Sequence, residues 1–132
     1  MAIPNLSDLP EVSLAPKGEY QLTVKKCEEK TFSSGNRGLQ VIFSFEEEEG
    51  VFRDDIFLSL PYPDPKAPVR TQIFNAERLK NLCAACKVDP DGAEPNDFVD
   101  CEVTALVIIK EGKDAQGNST GERNEIQSFV VA

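Results

Sequence analysis

The chain has 132 residues, 40% of them hydrophobic, which is typical of a single soluble domain with one core. It contains no histidine, and this excludes histidine-based triads, histidine metal sites and histidine proton shuttles. The formal net charge of −9 argues against binding duplex DNA or anionic membrane by bulk electrostatics, but is compatible with a local basic groove. No apolar run approaches the ~20 residues of a membrane helix, and no signal peptide is evident, so we expect a cytoplasmic protein.

The N-terminal part of the chain predicts an arm followed by a strand. Residues 1–16 contain three prolines and no periodicity, which predicts an extended arm ahead of a domain at 17–132. Residues 18–29 alternate apolar and polar side chains, with Tyr20, Leu22 and Val24 inward, as in a half-buried strand. Residues 32–38 are rich in turn formers and predict a loop.

Two further strands are predicted on either side of an acidic hairpin tip. Residues 39–46 alternate with four side chains on one face: Leu39, Val41, Phe43 and Phe45. The four glutamates at 46–49 and Gly50 form the tip, because such a charge run is too repulsive to bury. Residues 51–60 predict a third strand whose inward positions are Phe52, Ile56, Leu58 and Leu60.

A proline-dense connector then leads into one short helix. Residues 61–68 contain four prolines and are incompatible with a helix or a central strand. The helix is predicted over about 75–87, with Asn75 as N-cap. Its apolar stripe follows helical spacing: Leu79, Leu82, Cys83 and Cys86.

The C-terminal part predicts a hairpin. Residues 98–110 are the strongest strand signal, with alternate inward positions at Val99, Cys101, Val103, Ala105, Val107 and Ile109. A loop at 111–121 with three glycines precedes the last strand at 123–131. The order of three strands, one helix and two strands favours a mostly-β fold, a five-stranded Greek-key OB-type barrel.

The sequence gives little support for catalysis, a metal or another cofactor. Cys83 and Cys86 have C-x-x-C spacing, but they lie late in the predicted helix on its apolar stripe, which favours packing over redox or zinc chemistry. The acidic run at 46–49 followed by Asp54 and Asp55 matches no calcium loop. No phosphate-binding glycine motif occurs, and no serine or cysteine accompanies a recognisable base.

Aromatic and basic residues recur on the predicted second and third strands and in the loops that join strands one to two and four to five. In an OB-type barrel these parts form the binding face, where bases stack on rings and cations contact phosphates. Packing of the rings in the core is the alternative for each single aromatic residue. The candidate nucleic-acid-binding residues are Lys25, Phe32, Arg37, Arg53, Phe57, Lys110, Lys113 and Arg123.

Several segments in this order resemble a known group of proteins: PKGEYQLTVKKCEEK, SSGNRGLQVIFSF, GVFRDDIFLSL, ERLKNLCAAC, FVDCEVTALVI and RNEIQSFV. The chain is similar, over residues 18–131, to phage-encoded proteins of replication and recombination modules that look like single-stranded-DNA-binding OB-fold proteins. The resemblance implies an OB-type barrel that coats single-stranded DNA, located in the host cytoplasm and working beside replication or recombination proteins.

Three hypotheses follow from the sequence. The first is a non-enzymatic single-stranded-DNA-binding protein in phage DNA replication or recombination. The second is an acidic protein-interaction or structural accessory module of a phage, without DNA binding. The third, and the least favoured, is a metal-dependent nuclease that uses the carboxylates. The preference for DNA over RNA, the site size and the oligomeric state stay open.

Overall fold

A computed structural model describes residues 12–33, 35–113 and 116–130, and for Lys113 and Thr120 it describes the backbone alone. The strands are β1 Gly18–Thr31, β2 Arg37–Phe45, β3 Ile56–Pro61, β4 Glu102–Lys113 and β5 Ser119–Val130. Helix α1 spans Val69–Cys86, and a 3₁₀ turn spans Pro95–Phe98. The prediction of a mostly-β chain with five strands is confirmed within these residues.

The five strands form one antiparallel sheet in the order β3-β2-β1-β4-β5. Strand β1 is central because its 14 residues are long enough to pair with two neighbours at once. Its first part pairs with β4, from Gly18 opposite Val107, while its pairing with β2 continues to Thr31 opposite Arg37. The two edge strands, β3 and β5, are therefore far apart in the sheet order.

A β-bulge in β1 changes which side chains point inward. Val24 pairs with Phe43 and Lys26 pairs with Ile42, so Lys25 is the extra residue. Because a bulge shifts the alternation by one residue, Lys25 and Lys26 are both exposed and Cys27 is buried. The simple alternation predicted for residues 18–29 therefore holds only as far as Val24.

The core lies on one face of the sheet and is closed by α1. Its largest fully buried side chains come mainly from β1, β2, β3 and α1: Phe43, Leu22, Ile56, Leu60, Leu82, Val24, Val41 and Val107. Leu39, Val41 and Phe43 are buried as their alternation predicts, and Phe45 is half-buried. Full burial of each large apolar side chain contributes about 1.5–3 kcal/mol, so this face accounts for most of the stabilisation.

Two predicted strands begin later than expected. Strand β3 begins at Ile56, and Val51 instead forms an isolated bridge to Glu48 across the acidic tip. Phe52, predicted inward, is consequently half exposed (50%). Strand β4 begins at Glu102 because the 3₁₀ turn precedes it, and Ile109, also predicted inward, is exposed at the far end of the strand.

The helix is longer than predicted and begins earlier. It starts at Val69, directly after Pro68, so Asn75 lies inside it and is not the N-cap. Val69, Ile73 and Phe74 in its first turns are exposed, so the sequence has no amphipathic pattern there that would predict a helix. It ends where Lys87 adopts a left-handed conformation and the Val88 N–H donates to the Cys83 carbonyl (2.9 Å).

The segment before β1 connects the two edges of the sheet. The Ser13 N–H donates to the Phe52 carbonyl (2.9 Å), just before β3. Two residues on, Ala15 exchanges two hydrogen bonds with the Asn124 side chain on β5 (2.9 and 2.8 Å). Cα atoms of β3 and β5 approach within 8 Å, so the sheet is strongly curled.

Residues 1–11 of the predicted arm lie outside the described residues. No helix in the described part of the chain has the length and apolar character needed to cross a membrane.

Candidate nucleic-acid interface

A cleft of about 1000 Å³ opens where the two edge strands approach each other. Its walls are residues 12–14 before β1, residues 54–59 around the start of β3, residues 122–126 of β5, and Arg78 of α1. Because both edge strands and the segment before β1 meet here, the cleft combines backbone, charged side chains and the exposed ring of Phe57. We refer to it as the edge cleft.

Phe57 and Arg123 are the two predicted binding residues that line the edge cleft. Phe57 is 62% exposed, because it alternates with the buried Ile56 on β3 and so points away from the core. Arg123 extends from β5 directly opposite Lys110 on β4, in the same hairpin as Lys113. Arg123 and Lys110 therefore lie side by side on the hairpin, but only Arg123 lines the edge cleft, together with Phe57 of β3.

Glu125 links the two basic residues of that hairpin. Its Oε1 atom accepts hydrogen bonds from both Nε and Nη2 of Arg123, each at 2.9 Å. Its Oε2 atom lies 3.7 Å from Nζ of Lys110. One carboxylate thus lies between two cations that face each other across the strands, and it reduces the repulsion between them without cancelling both charges.

Lys25 reaches the cleft from the bulge in β1. Its Nζ atom donates to Oδ2 of Asp55 at 2.9 Å, and Asp55 lines the cleft. The Lys25 side chain is mostly exposed, so this ion pair contributes at most about 1 kcal/mol. Lys25 therefore lies near the edge cleft, and its ammonium group is paired with the Asp55 carboxylate.

Arg53 has a packing role. Its guanidinium lies 5.4 Å from the ring centroids of both Tyr20 and Phe45, and 3.7 Å separates Nη1 from Glu48. Only 16% of its side chain is exposed, and its buried Nε has no hydrogen-bond partner among the described residues. Cation–π contacts of this kind are worth about 0.5–2 kcal/mol and fix the guanidinium against the two rings.

Phe32 and Arg37 lie apart from the edge cleft, at the connection between β1 and β2. The half-buried Phe32 ring covers Gly38, where a side chain would collide with it. Arg37 forms an ion pair with Glu29. For Phe32, the packing alternative is the one that the geometry favours.

The charge of the edge cleft is acidic. Four carboxylates line it, against the guanidinium groups of Arg78 and Arg123: Asp54, Asp55, Glu122 and Glu125. Each candidate cation whose side chain is described contacts a carboxylate: Lys25, Arg37, Arg53, Lys110 and Arg123. A phosphate backbone entering the cleft must therefore compete with carboxylates for these donors.

The cysteines lie in and beside the core. Cys27, Cys83 and Cys86 are buried, and Cys101 is half-buried with its Sγ atom 3.7 Å from the Cys86 carbonyl oxygen. Burial raises the pKa of Cys27 to about 11 and that of Cys86 to about 12, so both thiols are protonated and unreactive at neutral pH. Among the described residues, no group of three or more potential ligands is placed to hold a metal ion.

Glu125 and Arg78 line the edge cleft but were not among the residues predicted from the sequence. Glu125 is two positions from Arg123 on the same strand, and the period of two places both side chains on one face, so their pairing was predictable. Arg78 was not predictable, because its position depends on how α1 packs over the sheet. Its guanidinium lies 5.6 Å from the ring centroid of Phe74.

No protein-family model matches this chain, and a search of curated proteins finds no significant relative.

Proposed function

We propose that this protein is a non-enzymatic single-stranded-DNA-binding protein with an OB-type Greek-key barrel, acting in phage DNA replication or recombination. The phage setting comes from the resemblance of the sequence. Support for the barrel comes from the strand order, the central β1 and the approach of the two edge strands. Such barrels are partly open and bind oligonucleotides on one curved face.

The observation that carries the proposal is the exposed Phe57 ring in the edge cleft. The ring is 62% exposed and shares an open cleft with Arg123, so its face is accessible to an unpaired base. Stacking of a base on such a ring is worth about 1–3 kcal/mol and accepts any base. Because the nearby cations are ion-paired, stacking supplies most of the affinity, and sequence preference is weak.

The test is a fluorescence-anisotropy titration of labelled oligo-dT at low salt with the wild type, Phe57→Ala and Phe52→Ala. Phe52 is the matched control, because it is 50% exposed and does not line the cleft. We expect Phe57→Ala to weaken binding by about 5- to 150-fold, the loss of one stack, and Phe52→Ala to change it little. No wild-type binding at tens of micromolar protein would refute the proposal.

A salt series sharpens the same experiment. If Arg123 and Lys110 both exchanged Glu125 for a phosphate, log K would fall with log salt at a slope of about −1.4. Because Glu125 competes for both cations, we expect a slope no steeper than this. A much steeper slope would contradict the dominance of stacking.

A second candidate function is an acidic protein-interaction or accessory module without DNA binding. It is favoured by the pairing of the described candidate cations with carboxylates and by the four carboxylates of the edge cleft. Such a cleft fits a lysine- or arginine-rich partner segment. Titration with a labelled basic peptide, in parallel with oligo-dT, separates the two functions: peptide binding without oligo-dT binding would establish this one in place of the first.

A further inference from the structure

We infer that Glu125 makes the edge cleft selective for single-stranded over double-stranded DNA, by holding Lys110 and Arg123 away from phosphate. This inference rests on the proposed function and adds a selectivity residue to it. It is carried by the geometry of three side chains on the β4–β5 hairpin.

Glu125 occupies the donors that a phosphate would use. An arginine binds a phosphate or a carboxylate through paired N–H donors, and Glu125 already accepts from Nε and Nη2 of Arg123 at 2.9 Å each. Its second oxygen lies 3.7 Å from the Lys110 ammonium. The carboxylate therefore takes the place of a backbone phosphate between the two cations.

The exposure of the three side chains shows that an incoming anion can displace Glu125 from Arg123 and Lys110. The cations are 62% and 64% exposed, whereas the Glu125 side chain is 28% exposed and is held closer to the sheet. Exposed ion pairs of this kind contribute about 0–1 kcal/mol, so an incoming ligand can displace one at a small cost. The displacement must nevertheless be compensated by another contact.

Single-stranded and duplex DNA differ in whether a base is free to stack on Phe57. Duplex DNA presents its phosphates but keeps its bases stacked, so in the edge cleft it gains little beyond the exchange of one anion for another. A single strand adds the stacking of a free base on Phe57, in the same cleft. Cations whose charge is partly compensated, beside an exposed ring, therefore favour the strand whose bases are accessible.

The experiment compares Glu125→Gln with Glu122→Gln. Glu122 lies on the same strand and lines the same cleft, but makes no ion pair among the described residues. Both variants change the net charge by one unit, and only the first releases Arg123 and Lys110. Anisotropy titrations at low salt use labelled oligo-dT and a labelled duplex of equal length.

We expect Glu125→Gln to raise duplex affinity about fivefold, the fold-change equivalent to one exposed ion pair, and to lower the preference for oligo-dT several-fold. Glu122→Gln should leave that preference unchanged. Arg123→Gln combined with Glu125→Gln should remove most of the gain, since the released guanidinium is then absent and only Lys110 remains. A carboxylate that only stabilised the hairpin would change the unfolding midpoint without changing this preference.

Equal single-strand preference in Glu125→Gln and Glu122→Gln would overturn the inference and leave the proposed function standing. Failure of the wild type to bind oligo-dT would overturn both. If Glu125→Gln does not fold, Glu125→Asp replaces it, because the shorter side chain withdraws the carboxylate without changing net charge. The same direction of change is expected from it, and an unchanged preference in that variant overturns the inference.

Discussion

The connection between β1 and β2 differs from the β4–β5 hairpin in what surrounds its basic residues. Each combines glycine with basic residues, and each was predicted to contribute to a binding face. In the first, Phe32 and Arg37 are fixed by their neighbours, whereas in the second Lys110 and Arg123 lie on an exposed hairpin. The difference comes from what the rest of the chain places beside them.

Tyr62 is the residue that fixes the β1–β2 connection. Its N–H donates to the Arg37 carbonyl (2.9 Å), and its carbonyl accepts from the Asn36 side chain (3.1 Å). Its hydroxyl donates to Glu29 (3.0 Å), the ion-pair partner of Arg37. On the β4–β5 hairpin, by contrast, the side chains of Lys110 and Arg123 are 62% and 64% exposed, and both contact Glu125 of the same hairpin.

The largest effect expected from this comparison is that of Gly38→Ala. A Cβ at Gly38 would lie 2.6 Å from the Phe32 ring and 2.7 Å from the Pro61 Cα, and closer still to the Leu60 carbonyl oxygen. Since two of these neighbours are backbone atoms, we expect the free energy of unfolding to fall by about 2–3 kcal/mol in urea titrations.

Gly18→Ala is the matched control for Gly38→Ala. Gly18 is also a strand residue without a positive φ, and its nearest neighbour would be 3.8 Å from the new Cβ. Its substitution should cost less than about 1 kcal/mol or stabilise the protein slightly. Similar losses in the two variants would mean that the β1–β2 connection is not tightly packed.

The second prediction separates a packing phenylalanine from a binding one. Phe32→Ala should lower the free energy of unfolding by about 2 kcal/mol, since a half-buried ring contributes less than the 3–5 kcal/mol of a fully buried one. It should leave oligo-dT affinity unchanged. Phe57→Ala should lower oligo-dT affinity and leave the free energy of unfolding nearly unchanged, because its ring is exposed.

Both variants are measured by urea unfolding and by oligo-dT anisotropy. Loss of DNA affinity in Phe32→Ala at unchanged stability would reverse the roles assigned to the two phenylalanines.

The sequence predicts the sheet well where alternation is regular. In β2 the alternate positions Leu39, Val41 and Phe43 are all buried, because both neighbouring strands hold the register. Alternation fails in β1 after Val24, because a bulge depends on the pairing partner and leaves no local signal. The start of α1 at Val69 was missed for a related reason: Val69, Ile73 and Phe74 in its first turns are exposed, so burial imposes no apolar stripe there.

The candidate site was predictable only in part. Phe57 and Arg123 could be proposed because strand period and charge are visible in sequence. The sequence does not show that Phe57 and Arg123 line the same cleft, because this depends on how strongly the sheet is curled. The same curvature decides which carboxylates lie beside them. The packing of the Arg53 guanidinium against Tyr20 and Phe45 was not predictable, because it depends on how β1 and β2 place these two rings.

The effect expected to be smallest at neutral pH concerns Cys27, which is buried in the core on β1 close to Tyr62. Burial, with a smaller contribution from Glu28, raises its pKa from 9.0 to about 11. The unfolded chain therefore loses this proton first, so the stabilisation is complete below about pH 9 and is lost as the pH rises toward 11.

Urea midpoints of the wild type should fall across this window, and those of Cys27→Ala should fall less steeply. Val24→Ala, a buried and non-titrating control on the same strand, should keep the wild-type slope, and a slope shared by all three proteins would show that Cys27 is hydrated in the folded state.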